Sequence, residues 1–115
     1  MTYKEVATMI AGIGLPYAYD HFNEEEASPP PFICFFFSGS DDLKADDTNY
    51  QKIRPLVLEL YTDNKDFTLE QTVETALNEA GLVYSREETY IDTERMYMVT
   101  FYSEIIITEG EENNA

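Results

Sequence analysis

Residues Phe32 to Phe37 form an unbroken apolar run in which four of the six side chains are phenylalanine. A strand with one buried face alternates apolar and polar residues, whereas this run is apolar at every position. It therefore predicts a strand covered on both faces, either because it lies centrally in a sheet or because a partner covers its second face. Any fold of this chain has to supply that second cover.

Two helices are predicted around this strand. Thr2 and Glu5 have the spacing of a capping box, and apolar residues recur after them at helical intervals. A second helix is predicted to begin at Thr68, as the N-cap, and to end at Gly81, with one apolar stripe along its length. The residues expected on its opposite, polar face are Glu70, Glu74 and Asn78.

Further strands are predicted from aromatic residues and alternation. Residues 15–22 suggest a first strand, and residues 56–61 alternate with the period of a strand that has one buried face. Pro55 cannot donate a ladder hydrogen bond, so we expect this strand to begin at an edge or a bulge. Residues 84–91 and 95–108 are typical of an antiparallel hairpin.

The order helix, three strands, helix, two strands favours an α+β fold with a mostly antiparallel sheet of four to five strands. We expect one domain over residues 1–108, followed by an acidic disordered tail over residues 109–115. Both helices are expected on one face of the sheet, which leaves the other face as an apolar interaction surface. Alternation assigns to that face Val57, Tyr61, Met96, Met98, Tyr102 and Ile106.

Residues 38–51 contain four aspartates and few apolar anchors, which predicts a long exposed loop. We expect this loop to project from the body and to contact a neighbouring component or the inside of an assembly. The residues predicted to take part are Asp41, Asp42, Leu43, Asp46 and Asp47.

Acidic residues outnumber basic residues by 23 to 7, which gives a formal charge of −16. Nucleic acids are bound mainly through Lys and Arg side chains that neutralise phosphates, and the seven cations of this chain are scattered. The charge therefore argues against binding to DNA or RNA. It favours protein partners, for which the nine tyrosines are suitable contact residues.

The sequence offers little for catalysis. Cys34 and His21 are the only residues of their types, and each is expected to be structural. One cysteine and one histidine cannot form a zinc cluster, and the aspartate-rich segment lacks the glycine and final glutamate of a calcium loop. We therefore expect a protein without enzymatic activity, cofactor or metal.

The longest apolar run, residues 29–37, is far short of the roughly 20 residues that span a bilayer. The first residues also lack the basic and apolar regions of a signal peptide. We therefore expect a cytosolic protein without membrane association.

One resemblance extends over roughly residues 14–107. It rests on PPFICFFFSGSDDLKADDTNYQKIRPLVLELYTDNKDFTLEQTVETAL, followed by YIDTERMYMVTFYSEI. These stretches resemble small proteins of phages and prophages of Gram-positive bacteria from the head-to-tail joining region, the tail-completion or tail-terminator family.

The resemblance implies a virion protein at the head-tail junction. Such a subunit assembles as a hexameric ring on the head-proximal end of the tail tube, stops tube growth and offers a docking surface to the head connector. Its partners are then further copies of itself, the tail tube protein and the connector or head-closure protein. DNA passes through such a ring without specific binding, which fits the acidic charge.

Two other functions remain open from the sequence. The first is a head-closure or connector adaptor protein of the same junction, whose loss would leave normal tails beside heads that lose DNA. The second, from a different class, is an acidic DNA mimic that inhibits a host DNA-binding enzyme. Such a mimic would bind its target in a strongly salt-sensitive manner and would have no reason to form rings.

Overall fold

The computed structural model describes residues 1–45 and 47–108, and for Asn49 and Tyr50 it describes the backbone alone. The predicted tail 109–115 lies outside the described residues. A single turn of 3₁₀ helix, Glu24–Glu26, interrupts the connection between the first two strands. The elements in chain order are α1 (Tyr3–Ala11), β1 (Tyr17–Tyr19), β2 (Phe32–Phe37), β3 (Leu43–Ala45), β4 (Thr48–Thr62), α2 (Phe67–Glu79), β5 (Ser85–Ile91) and β6 (Met96–Ile107).

The strands form one six-stranded sheet in the order β1-β2-β4-β6-β5, with β3 paired to β4 outside this path. All pairs are antiparallel except β1 with β2. The predicted α+β fold is confirmed, although the sheet has one strand more than expected. The doubly apolar strand β2 lies between β1 and β4, so it is flanked by strands on both edges.

Both helices contribute to one core, as predicted. Val6 and Ile10 of α1 and Val73 and Leu77 of α2 are almost completely buried against one face of the sheet. Alternation along the strands supplies the other side of this core, because residues two apart in a strand face the same way. The sheet residues of the core are Ile33, Phe35, Leu56, Leu58, Leu60, Val99, Phe101, Ile105 and Ile107.

The two helices begin differently from each other. The capping box of α1 is confirmed: the Glu5 amide donates to Thr2 Oγ1 at 3.1 Å, and the Thr2 amide donates to Glu5 Oε1 at 2.9 Å. The prediction of Thr68 as the N-cap of α2 is wrong. Asp66 takes that position, and its carboxylate accepts from the Leu69 amide at 3.0 Å, so Thr68 lies within the first turn.

The prediction of a long loop over residues 38–51 is also wrong. Residues 43–45 and 48–51 pair as a two-stranded ribbon, the arm, made of β3 and the first residues of β4. The arm extends beyond the main sheet, because pairing of β4 with β6 starts only at Lys52, opposite Ile107. Asp47 has a φ of 61° at the turn, which aspartate tolerates better than most residues. A ribbon without a buried face shows no apolar alternation, and this concealed its strands in the sequence.

Pro55 does not begin its strand, since β4 starts seven residues earlier, at Thr48. Its carbonyl accepts from the Ser38 amide at 3.0 Å, just beyond the last β2–β4 pair, Phe37 with Leu56. The N–H and C=O of one strand residue point to the same edge. The missing N–H of Pro55 therefore falls where β2 has already ended, and the proline is tolerated inside a long strand.

The C-terminal hairpin is confirmed, with β5 and β6 joined by a turn in which Arg95 has a φ of 53°. The first predicted strand, residues 15–22, is shorter than expected and covers only Tyr17–Tyr19. Its partner β2 runs parallel to it, which the sequence pattern did not indicate.

Candidate interaction surface

The face of the sheet opposite the two helices, which we call the open face, carries three cross-strand rows. Each row takes one residue from β2, one from β4 and one from β6, because residues paired in register share a face. The rows are Phe32–Tyr61–Met98, Cys34–Glu59–Thr100 and Phe36–Val57–Tyr102. The predicted residues Met96 and Ile106 extend the same face along β6, so the structure brings the whole predicted set onto one side.

The centre of the open face is buried, whereas its margin along β6 is exposed. Val57 is only 6% exposed, and Cys34 and Thr100 are each 5% exposed. Tyr102 and Ile106 are 38% and 49% exposed. The part of this face that a partner could still bury is therefore the margin along β6.

One end of the open face is an aromatic stack. The ring of Phe32 stacks on the ring of Tyr61 at 4.8 Å between centroids, and Phe22 meets Phe32 edge-on at 5.4 Å. Phe22 belongs to the connection between β1 and β2. This connection gives β2 part of the second cover that its sequence requires.

A single carboxylate lies in the middle row of the open face. Glu59 is half-buried, and its Oε1 accepts a hydrogen bond from the Tyr61 hydroxyl at 3.0 Å. Burial, with the nearby charge of Glu59, raises the pKa of Tyr61 well above its usual range. Burial, followed by the charges of Glu59 and Asp20, raises the pKa of Cys34 to about 11. Cys34 is therefore a protonated thiol at neutral pH, which is a weak nucleophile.

His21 does not complement that thiol. Its side chain is exposed, and Nδ1 lies 2.9 Å from Oδ2 of the adjacent Asp20. In the described ranges, no group of three or more His, Cys, Asp or Glu side chains is placed to hold a metal ion. Within the same ranges, no helix combines the length and apolar character needed to cross a membrane.

The aspartates of residues 41–47 differ in what they do. The Asp42 side chain is 1% exposed, accepts from the Ile53 amide at 3.1 Å and forms an ion pair with Arg54. Arg54 also donates to the Tyr3 hydroxyl at 3.2 Å, and the hydrogen bond to Asp42 raises the pKa of its guanidinium. We call the Asp42–Arg54 ion pair the clamp, because it fixes the base of the arm to β4.

The described residues Asp41, Leu43 and Asp47 lie at the surface, where their part in an interface stays a prediction. Leu43 is 50% exposed and Asp47 is exposed at the turn. The Asp41 amide donates to the Ile53 carbonyl at 2.8 Å, and its side chain shares a hydrogen bond with Glu104 that raises the pKa of Glu104. Asp46 lies outside the described residues.

Sequence reasoning missed a charge cluster on the helix side of the sheet, between α2 and β5. The expectation that Glu70 lies on the polar face of α2 is wrong, since its side chain is 1% exposed. Its Oε1 lies 2.7 Å from Arg86 Nη2, and its Oε2 lies 2.6 Å from Lys65 Nζ. Buried carboxylates need such partners. The available signal was spacing, because Glu70 precedes the core residues Val73 and Leu77 by three and seven positions.

The cluster ties α2 to the edge of the sheet. Arg86 Nη1 also lies 3.2 Å from Glu74 Oε2, and the Tyr84 hydroxyl donates to Glu74 Oε1 at 2.6 Å. The hydrogen bond to Glu70 raises the pKa of Arg86. Burial lowers the pKa of Lys65, but hydrogen bonds to Glu70 and Glu88 outweigh it and leave that pKa raised. Both cations therefore stay charged, and β5 is held firmly against α2.

Comparison with known proteins gives a likeness in fold. No family model matches the chain, and no curated protein matches its sequence. Among solved structures, a chain of the "virion of native gene transfer agent (GTA) particle" superposes with a TM-score of 0.57 at 14% sequence identity. The superposition covers 90% of this chain and 88% of that chain. This protein therefore shares its α+β fold, over nearly the whole length of both chains, with a component of a virion.

Proposed function

We propose that this protein is a non-catalytic structural subunit of a phage-type particle that acts as the tail terminator. It caps the tail tube as a hexameric ring and joins the tail to the head connector. The observation that carries the proposal is the near full-length fold likeness to a chain of a gene transfer agent virion. The resemblance of residues 14–107 to tail-completion proteins points to the same kind of particle.

The open face supports binding to proteins. Its exposed margin along β6 carries Tyr102 and Ile106, and burial of such apolar area is the main favourable term in association. Aromatic and methionine side chains are enriched in protein interfaces. The residues that we assign to contacts on this face are Tyr61, Met96, Met98 and Tyr102, whereas Val57 is 6% exposed and supports them from the buried centre.

The charge supports a role as a conduit. With a formal charge of −16 per copy, a ring of six presents a strongly negative surface to DNA. Phosphates are repelled by the same electrostatics that attract them to basic proteins. DNA can therefore pass through the ring without adhering to it. In this proposal the protein is made in the host cytoplasm and resides in the virion at the head-tail junction.

The decisive experiment is deletion of the gene, followed by electron microscopy of the particles. A missing terminator leaves tails of uncontrolled length, and the wild-type gene supplied in trans restores a single tail length. Normal tails beside heads that have lost DNA would instead assign the protein to head closure. Normal infectious particles would refute both roles.

A variant lacking the arm tip tests the surface assignment. The segment Lys44–Asn49 is replaced by Asn-Gly, which favours a tight hairpin and leaves the Asp42–Arg54 clamp in place. We expect the shortened protein to fold with an unchanged circular dichroism spectrum and to fail to restore tail length. Full restoration by the shortened protein would remove the arm from the proposed contacts.

A further inference from the structure

Among the described residues, three strands of the sheet, β1, β3 and β5, each have one edge that pairs with no other strand. Of these three, β3 and β5 carry charged side chains and β1 carries none. Within the described residues, β5 pairs with β6 alone and β3 pairs with β4 alone. Six of the seven β5 side chains are exposed, and so is every side chain of β3. A free edge presents unpaired N–H and C=O groups, which form a template for another strand.

A third strand beside β3 would stabilise the arm. Two-stranded ribbons are marginally stable in water, whereas three strands with a shared apolar face persist. Leu43 is 50% exposed on β3 and would be covered by an adjoining strand. The clamp fixes the base of the arm and adds no strand beside β3. Among the described residues, β4 is the one strand neighbour of β3.

The charged side chains on the β3 and β5 edges determine which edges can pair between two copies. On β5, Arg86 and Glu88 already form ion pairs within the molecule, with Glu70 and Lys65, whereas Glu87 is exposed and forms no ion pair among the described residues. Antiparallel pairing of two β5 edges would therefore bring the Glu87 side chains of the two copies close together. Like charges opposite each other destabilise a strand pair. β3 carries Lys44, which is the opposite charge on the other charged edge. The two edges are therefore complementary to each other, and the β5 edge is not complementary to itself.

We propose that β3 of one copy pairs with β5 of the next copy, with Lys44 close to Glu87, so that the sheet continues across the contact. The contact uses two different edges and is therefore heterologous, and repetition of such a contact gives a ring when the rotation closes. Taking a second copy as the occupant rests on the proposed function. The charge cluster fixes β5 against α2 and the clamp fixes the arm, so both edges are presented in a defined position.

Charge exchange tests this contact. Lys44→Glu and Glu87→Lys are each expected to weaken self-association at least about tenfold, measured by sedimentation equilibrium at low salt. The double variant exchanges the two charges and is expected to return to within about threefold of wild type. Lys4→Glu on α1 and Glu94→Lys in the β5–β6 turn make the same charge changes away from both edges. Single variants that match these controls, or a double variant as weak as the singles, would overturn the proposal.

Crosslinking tests the contact in the assembled state. Proteins with Lys44→Cys and Glu87→Cys are mixed and treated with a short bis-maleimide, while native Cys34 is buried and reacts slowly. We expect a covalent dimer from this mixture and none when Glu94→Cys replaces Glu87→Cys. Absence of that dimer, in solution and in particles that carry the two variants, would overturn the proposal.

The two proposals fail separately. Six-fold rings in electron micrographs without the crosslink would overturn the edge contact and leave the terminator role standing. A specific crosslink in a protein whose deletion leaves tail length normal would support the edge contact and refute the terminator role.

Discussion

The two faces of the sheet use alternate residues of the same strands and differ in how they are covered. On the helix side, Leu58, Leu60 and Phe101 are essentially inaccessible beneath α1 and α2. On the open face, Val57 is buried at the centre, whereas Tyr102 at the margin is 38% exposed. The same strands therefore serve two environments: one face forms the core of the protein, and the margin of the other remains accessible to solvent.

Glu70, in the helix that packs on one face, and Glu59, on the other face, differ in their partners and in their burial. Glu70 on the helix side is almost fully buried and lies between Lys65 and Arg86. Glu59 on the open face is half-buried and accepts from the Tyr61 hydroxyl. A buried carboxylate with two cationic partners is costly to disturb. A half-buried carboxylate keeps its contact with water, so its replacement should lower the free energy of unfolding by less.

The largest effect is expected for phenylalanine in the helix-side core. Phe101→Ala should lower the free energy of unfolding by about 3–5 kcal/mol, through lost transfer free energy and the cavity left behind. Phe36→Ala on the open face should cost about 1–2 kcal/mol, because part of that ring is already accessible to water. Urea denaturation of both variants measures the difference. Equal losses in the free energy of unfolding would contradict the expected difference between the two faces.

The two glutamates provide the next largest effect. Glu70→Gln should destabilise the subunit by about 3 kcal/mol, since Lys65 and Arg86 lose their shared counter-charge in a buried site. Glu59→Gln should cost about 1 kcal/mol or less, because the amide oxygen can still accept from Tyr61. Thermal and urea unfolding at neutral pH compare the variants. A larger loss for Glu59→Gln would mean that the open face is closed to water.

A small effect on stability is expected at the exposed margin. Ile106→Ser should change the free energy of unfolding by no more than about 0.5 kcal/mol, yet it should reduce recovery of normal tails in a complementation assay. Phe67→Ser is the control, because Phe67 is 69% exposed at the start of α2, on the helix side of the sheet. If both variants complement equally, the margin of the open face is not a contact surface.

The smallest effect is a dependence on alkaline pH. The pKa of Cys34 is raised in the folded protein, so from about pH 9 to 11 the unfolded chain loses this proton first. Stability should therefore fall as pH rises through that interval, and the raised pKa of Tyr61 acts in the same direction. Cys34→Ala should reduce the slope of unfolding free energy against pH. An unchanged slope would show that the thiol is less enclosed than the open face suggests.

Residues with a buried apolar face were predictable from the sequence. The stripe of α2, the alternation of Leu56, Leu58 and Leu60, and the β5–β6 hairpin all follow from periodicity. The open face was assigned correctly because alternation fixes both faces of a strand once one is known. The predicted capping box at Thr2 depends on local hydrogen bonds alone and is present as expected.

Each wrong prediction concerns a position that is decided by contacts between elements, which the local sequence pattern does not record. The arm has strands without a buried face, so residues 43–51 carry no alternating pattern. Glu70 is buried between Lys65, which precedes α2, and Arg86 on β5, whereas a reading of periodicity alone treats a charged residue as exposed. Asp66 and Thr68 are both good N-cap residues, and the choice between them depends on where the chain leaves β4. Pro55 is tolerated within β4 because β2 ends beside it, which only the strand register reveals.

The clamp between Asp42 and Arg54 anchors the arm at its base. We therefore expect substitutions or length changes between Lys44 and Asn49 to leave the packing of the sheet unchanged. On the proposed function, the tip can then be exchanged between otherwise similar subunits, which would alter the neighbour that it contacts while the folded body stays the same.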